Sequence, residues 1–149
     1  MSLSNAAESD LLLLLFQNAA WANVGTSGGL QPSSSAGSLY VALHTASPGQ
    51  AGNQSTNEAG YPGYSRQAVA RSSAGWTKSG SNPTQVANAA AVTFGAAASG
   101  SETETYFSVG TSSTGAGEII FYAPLAQALL VTAGIVPNYP ISSLICKVQ

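Results

Sequence analysis

The sequence predicts a mainly β fold: an antiparallel β-sandwich, jelly-roll-like, preceded by one N-terminal α-helix. Three observations carry that reading. Short runs of β-branched and aromatic residues recur from Leu39 onward, separated by Gly, Ser, Pro and Asn clusters. Residues 4–23 differ, with helix-start signals followed by a dense apolar run. No period of about 20–50 residues repeats, which argues against a propeller or solenoid.

The helix is expected from Ser4 to Asn23. Asn5 and Glu8 have capping-box spacing, and Glu8 and Asp10 sit where the helix dipole favours anions. Gly25, Gly28, Gly29 and Pro32 end it. Leu11, Leu12, Leu13, Leu14, Leu15 and Phe16 put apolar side chains around the whole circumference. A surface helix needs only one stripe, so this one calls for cover on more than one side. The run is far short of the roughly 20 residues that span a bilayer, and no cationic segment precedes it as in a signal peptide.

The strands follow in order. Residues 39–44 alternate, with Leu39, Val41 and Leu43 on one face and Tyr40, Ala42 and His44 on the other. Further strands are expected at 64–71, 75–79, 85–88, 91–94, 105–110, 118–122, 128–132 and 144–148. Pro137 and Pro140 mark an edge or a connection, because proline cannot donate to a ladder. The longest strand-poor stretch runs from Thr45 to Pro62, and loops of that length tend to be functional. Residues 111–117 read as a hairpin loop. The expected organisation is a helix-and-linker segment, 1–32, and a β-sandwich, 33–149.

Composition narrows the function. Charged residues make up 7 % of the 149 positions, with 4 Lys+Arg and 6 Asp+Glu; soluble domains average roughly 25 %. Four scattered cations cannot displace counterions from nucleic acid. A near-neutral Ser/Thr/Ala/Gly-rich surface tends to associate, so it suits a protein covered by neighbours.

The inventory for chemistry is thin. His44 is the one histidine and Cys146 the one cysteine, which leaves no metal or disulfide framework. Cys146 reads as a small buried hydrophobe. His44 has only Glu58 within plausible reach as a carboxylate partner and no nucleophile motif beside it, so it reads as a hydrogen-bonding structural residue. Glu102 and Glu104 read as neighbours on the solvent face of a strand. The sequon Asn53-Gln54-Ser55 is a common chance match. Arg66, Arg71 and Lys78 lie near Tyr61, Tyr64 and Trp76, a set that could stack on bases or sugars; the odd spacing of Arg66 and Arg71 puts them on opposite faces of a regular strand. No catalytic residue, cofactor or metal site is expected.

Several stretches taken together resemble a known family. They are LYVALHTASPG at 39–49, NEAGYPGYSRQAVAR at 57–71, GWT at 75–77, NAAAVTF at 88–94 and FSVGT at 107–111. This ordered series, within a match from Ser4 to about Tyr122, resembles small tailed-bacteriophage virion proteins. Members are often labelled tail-fibre proteins, and some look like capsid cement (decoration) proteins. The resemblance implies a structural protein made in the bacterial host cytoplasm and carried on the outside of the virion head. Its partners would be the major capsid protein and other copies of itself, as a dimer or trimer, with no nucleic acid and no membrane. A tail-fibre or baseplate protein touching host glycans is the alternative. On apolar excess and loop length, Leu3, Leu11, Leu12, Leu13, Leu14, Leu15, Phe16, Trp21, Asn53, Glu58 and Tyr61 are the expected oligomer or capsid contacts.

Overall fold

The computed structural model describes residues 2–81 and 84–148; the start of the expected segment 1–32 and the end of the expected segment 33–149 lie outside them. One helix, α1 (Asn5–Gln17), precedes nine strands: β1 (Ser38–His44), β2 (Gln67–Ala70), β3 (Trp76–Ser79), β4 (Thr84–Asn88), β5 (Val92–Thr93), β6 (Ser101–Gly110), β7 (Ile119–Thr132), β8 (Asn138–Tyr139) and β9 (Ile145–Val148). The fold is mainly β with antiparallel sheets and a single N-terminal helix, and is sandwich-like, as the sequence predicts. The chain forms two interleaved units. One takes Met1–Ser38, Val69–Ala91 and Pro140–Gln149; the other takes Leu39–Ala68 and Val92–Tyr139.

In the first unit α1 lies on β3 and β4, which form a three-stranded sheet with β9. The helix is shorter at both ends than predicted. Ser4, not Asn5, is the N-cap, and its hydroxyl accepts the Ala7 N–H at 3.3 Å. Asn18 ends the helix in the left-handed conformation, φ 54°, a conformation asparagine tolerates better than most. Arg71 then takes the C-terminal carbonyls: Nε donates to Leu15 O and Nη2 to Leu14 O, both at 2.7 Å. A cation there satisfies orphan acceptors and opposes the negative end of the dipole. Asn18 and Ser33 exchange two hydrogen bonds of 2.9 Å, which turns the chain back beneath the cap.

Glu8, Leu12 and Phe16, four residues apart, form the buried face. The Phe16 ring meets Trp76 edge-on at 4.8 Å and 74°, and Leu12, Phe16 and Trp76 are fully buried with Val86 and Leu144. Cys146 is buried, as expected, and burial pushes its thiol up to about 12.

The second unit holds β6, β7 and nearly all of β1, from a four-stranded sheet in the order β2-β1-β6-β7 whose β2 is divided at Ala68, and a small ribbon of β5 with β8. The β5–β8 pairing places the Pro137–Pro140 stretch at a short edge, as the prolines require. Central strand β1 is buried on both faces from Val41 to His44, so its alternation does not translate into one wet side. Sequence predicts two strands at 118–122 and 128–132. The structure joins them as β7 with a bulge at the predicted break: Glu104 faces Leu129 and Tyr106 faces Pro124, so Leu125–Ala128 stand opposite Thr105 alone.

Both tryptophans, Trp21 and Trp76, lie in the first unit, and all six tyrosines lie in the second. Each unit therefore carries its own optical probe. Phe16→Ala should cost the first unit about 3–5 kcal/mol, read as a lower urea midpoint in tryptophan fluorescence.

Candidate functional site

The predicted long loop and the 111–117 hairpin loop meet at one end of the second unit, around two buried polar side chains. The first is Arg66, whose side chain is 2 % exposed. A desolvated guanidinium must have its donors met. Its Nε donates to Glu58 Oε1 at 2.6 Å and its Nη2 to Glu58 Oε2 at 2.7 Å, a two-point grip. Nη1 donates to Ser112 O at 3.0 Å, and Nη2 also reaches Gly115 O at 2.7 Å. The hydrogen bond to Glu58 raises the Arg66 pKa further, against the cost of burial, so the cation persists at any working pH.

The second is Gln54, fully buried. Its backbone N–H donates to Gly117 O at 2.8 Å, its Nε2 to Tyr40 O at 3.2 Å, and its Oε1 accepts the Ser112 N–H at 2.9 Å. Gly110 and Gly117 make room for it. A Cβ at either would lie 2.2–2.3 Å from the Gln54 amide, so these two positions must lack a side chain. Gln54 and Arg66 together tie both loops to β1.

His44 and Tyr64 support the pair from beneath. The His44 Nδ1 lies 2.9 Å from Thr56 O, a carbonyl that can only accept, so Nδ1 carries the proton. Nε2 then accepts from Ser108 Oγ at 2.8 Å. Burial lowers the His44 pKa, which keeps the ring neutral. Tyr64 Oη accepts the Leu43 N–H and donates to Glu58 Oε1, both at 3.1 Å. Its ring stacks on Phe94 at 5.9 Å and 9°, and burial raises its phenol well above the ordinary range. A cleft of about 270 Å³ opens beside this framework, lined by Glu58, Ala59, Tyr64, Ser65, Arg66, Ser113, Thr114 and Gly115. Its charges are already matched to one another, so it presents hydroxyls and backbone more than a net field.

The expected contact residues fall in different places. Glu58 is the anion of the Arg66 grip. Asn53 turns the loop, its Oδ1 accepting the Ser55 N–H at 2.9 Å. Tyr61 is 4 % exposed and donates to Gly95 O at 3.2 Å, so little of it faces outward. Leu12 and Phe16 are buried within their own unit. Leu11, Leu13, Leu14, Leu15 and Trp21 are half-buried, and Leu3 is 42 % exposed. Tyr61, Tyr64 and Trp76 do not form an exposed stacking platform, because Tyr61 and Trp76 are buried. Glu104 is fully buried, which corrects the reading of Glu102 and Glu104 as two exposed neighbours. The sequence reading missed Gln54 and the pairing of Arg66 with Glu58. The signal for Gln54 was indirect: two glycines flanking a hairpin that needed a close neighbour.

Two expectations follow. Arg66→Ala, which strands the Glu58 carboxylate and two carbonyls, should destabilise the second unit by about 3–5 kcal/mol; Glu58→Gln should cost less, about 1–3 kcal/mol. Urea unfolding read at the tyrosines measures both. His44, with its folded pKa lowered, resists a proton that the unfolded chain accepts below about pH 6.5. Its share of stability is thus fully present above that value and is lost as pH falls below it, through the lowered folded pKa. The stability difference between the natural chain and His44→Gln should shrink from pH 7.5 to pH 5.

No curated protein sequence matches the chain. A family model described as Podophage GP4 fiber I protein gp80 matches residues 2–147. The match takes in the helix, every strand and both tip loops up to the last residues of β9. The chain belongs to this phage fibre protein family and is a structural protein of the virion.

Proposed function

We propose that the chain is a non-enzymatic building block of the virion's fibre apparatus, held in place by contacts with copies of itself and with neighbouring virion proteins. The observation that carries this reading, beside the family's description as a fibre protein, is where the charges go. Of the ten charged residues, Glu8, Glu58, Arg66, Arg71, Lys78 and Glu102 make hydrogen bonds inside their own unit, and Glu104 is buried. The outer surface is left with less charge than the composition suggests. Such a surface suits permanent packing, where like-charge repulsion between copies would otherwise oppose assembly. That His44 has both ring nitrogens in structural hydrogen bonds fits a role without catalysis.

A second reading, a capsid cement protein that sits on the outside of the head and bridges major capsid protein subunits, is favoured by the lack of a repeating shaft sequence. In that role many modest contacts would stabilise the shell by mass action. Under either reading the exposed apolar residues Leu3 and Leu130, with the half-buried leucines of α1, supply contact surface.

The copy number and position of the chain in a virion reconstruction decide between them. The fibre reading expects a small, tail-associated set of copies; hundreds spread over the head lattice would establish cement instead. Absence from the purified particle would overturn both.

A further inference from the structure

The second unit holds a carboxyl pair that the tip framework does not use. Glu102 and Glu104 are two apart on β6, so their side chains leave the same face. Glu104 is fully buried, and neither of its oxygens receives a hydrogen bond from a donor among the described residues. Glu102 is better placed, its Oε1 accepting the Gly60 N–H at 2.8 Å. The other titratable groups that face the pair are phenols. Tyr61 comes from the loop before β2 and Tyr139 from β8. The Tyr61 hydroxyl donates to Gly95 O, and the Tyr139 hydroxyl is buried without a partner. No cation faces the pair from these elements. Two adjacent carboxylates cannot both ionise in such a place without a counter-charge.

We propose that Glu102 and Glu104 form a proton-held clasp, in which a proton on Glu104 is donated to the Glu102 carboxylate while Glu102 keeps its grip on the Gly60 N–H, and that removing this proton opens the clasp. Burial, together with the hydrogen bond to Glu102 and its negative charge, pushes the Glu104 carboxyl up to about 8. The clasp is therefore shut at neutral pH and opens in mild alkali. The unfolded chain releases the same proton near 4.5. The stability that the clasp gives is full below that value and is lost as pH rises through about 8. Gly60 leads into Tyr64 and Arg66, so opening loosens one end of the segment that carries the tip framework. The clasp makes this end of the unit sensitive to alkali, in addition to any fibre role and independent of it.

Carboxyl carbon NMR of the intact natural chain reads the pair directly. One glutamate resonance should titrate with a midpoint near pH 8. The amide-exchange protection factor of Gly60 should fall tenfold or more between pH 7 and pH 9, and should stay constant over that range in Glu104→Gln. A Glu104 resonance titrating in the ordinary carboxyl range would overturn the clasp, as would Gly60 protection that ignores pH in the natural chain. A calcium chloride titration at pH 7 completes the test: a saturable shift of the same resonance would make the counter-charge a metal ion, which also overturns it.

Discussion

Arg66 is a cation with almost no access to water, and the tip of the second unit is arranged around that fact. A buried guanidinium without partners would cost several kcal/mol, a large share of a small domain's margin of stability. Four residues of two loops therefore converge on it: Glu58 and Ser55 from the long loop, and Ser112 and Gly115 from the hairpin loop. Gln54 repeats the logic without charge, joining Tyr40, Ser112 and Gly117. Loops of this length would ordinarily be mobile. Here their backbone groups are used up in holding two buried side chains, and the result is a shaped, fixed end to a β-sheet body.

The same economy explains the composition. A chain with so few charges would be expected to keep them on its surface for solubility. This one buries Glu8, Arg66 and Glu104 and engages others in hydrogen bonds, as the Arg71 cap on α1, the Arg66–Glu58 grip and the Glu102–Gly60 contact show. The exterior that remains is polar with few charges, broken by apolar residues such as Leu3, Leu130 and Val136. For a free protein that is a liability. For a part packed among neighbours, as proposed above, it would lower repulsion and leave contacts insensitive to salt.

Much of the fold was legible because it rests on local rules. Alternation found β1, punctuation by glycine and proline found most strand ends, and the leucine run found the helix. The misses have physical causes. The helix stops at Asn18, a left-handed cap set by that residue itself, and Arg71, more than fifty residues away, takes its last carbonyls; only the asparagine is a local signal, and a weak one. The two short strands near the C-terminal half join into β7 because a bulge, not a turn, separates them. At the site, Glu58 and His44 were found as neighbours from the loop that links them, and their backbones do meet in a bridge. Arg66 was weighed only as a surface cation, since burial of a charge is decided by long-range packing. Gln54 gave no signal of its own because an amide's partners here are backbone groups, which every residue has.

Buried Arg66 and Gln54 fix the two tip loops as one rigid body. Amide hydrogen exchange of the intact chain tests it most directly. Ser112 and Gln54, whose N–H groups donate to Gln54 Oε1 and Gly117 O, should be protected to the same degree as Ser108 and Val109 in the buried run of β6. Exchange of both loop amides at the rate of an unstructured peptide, with β6 still protected, would show that the loops are not fixed.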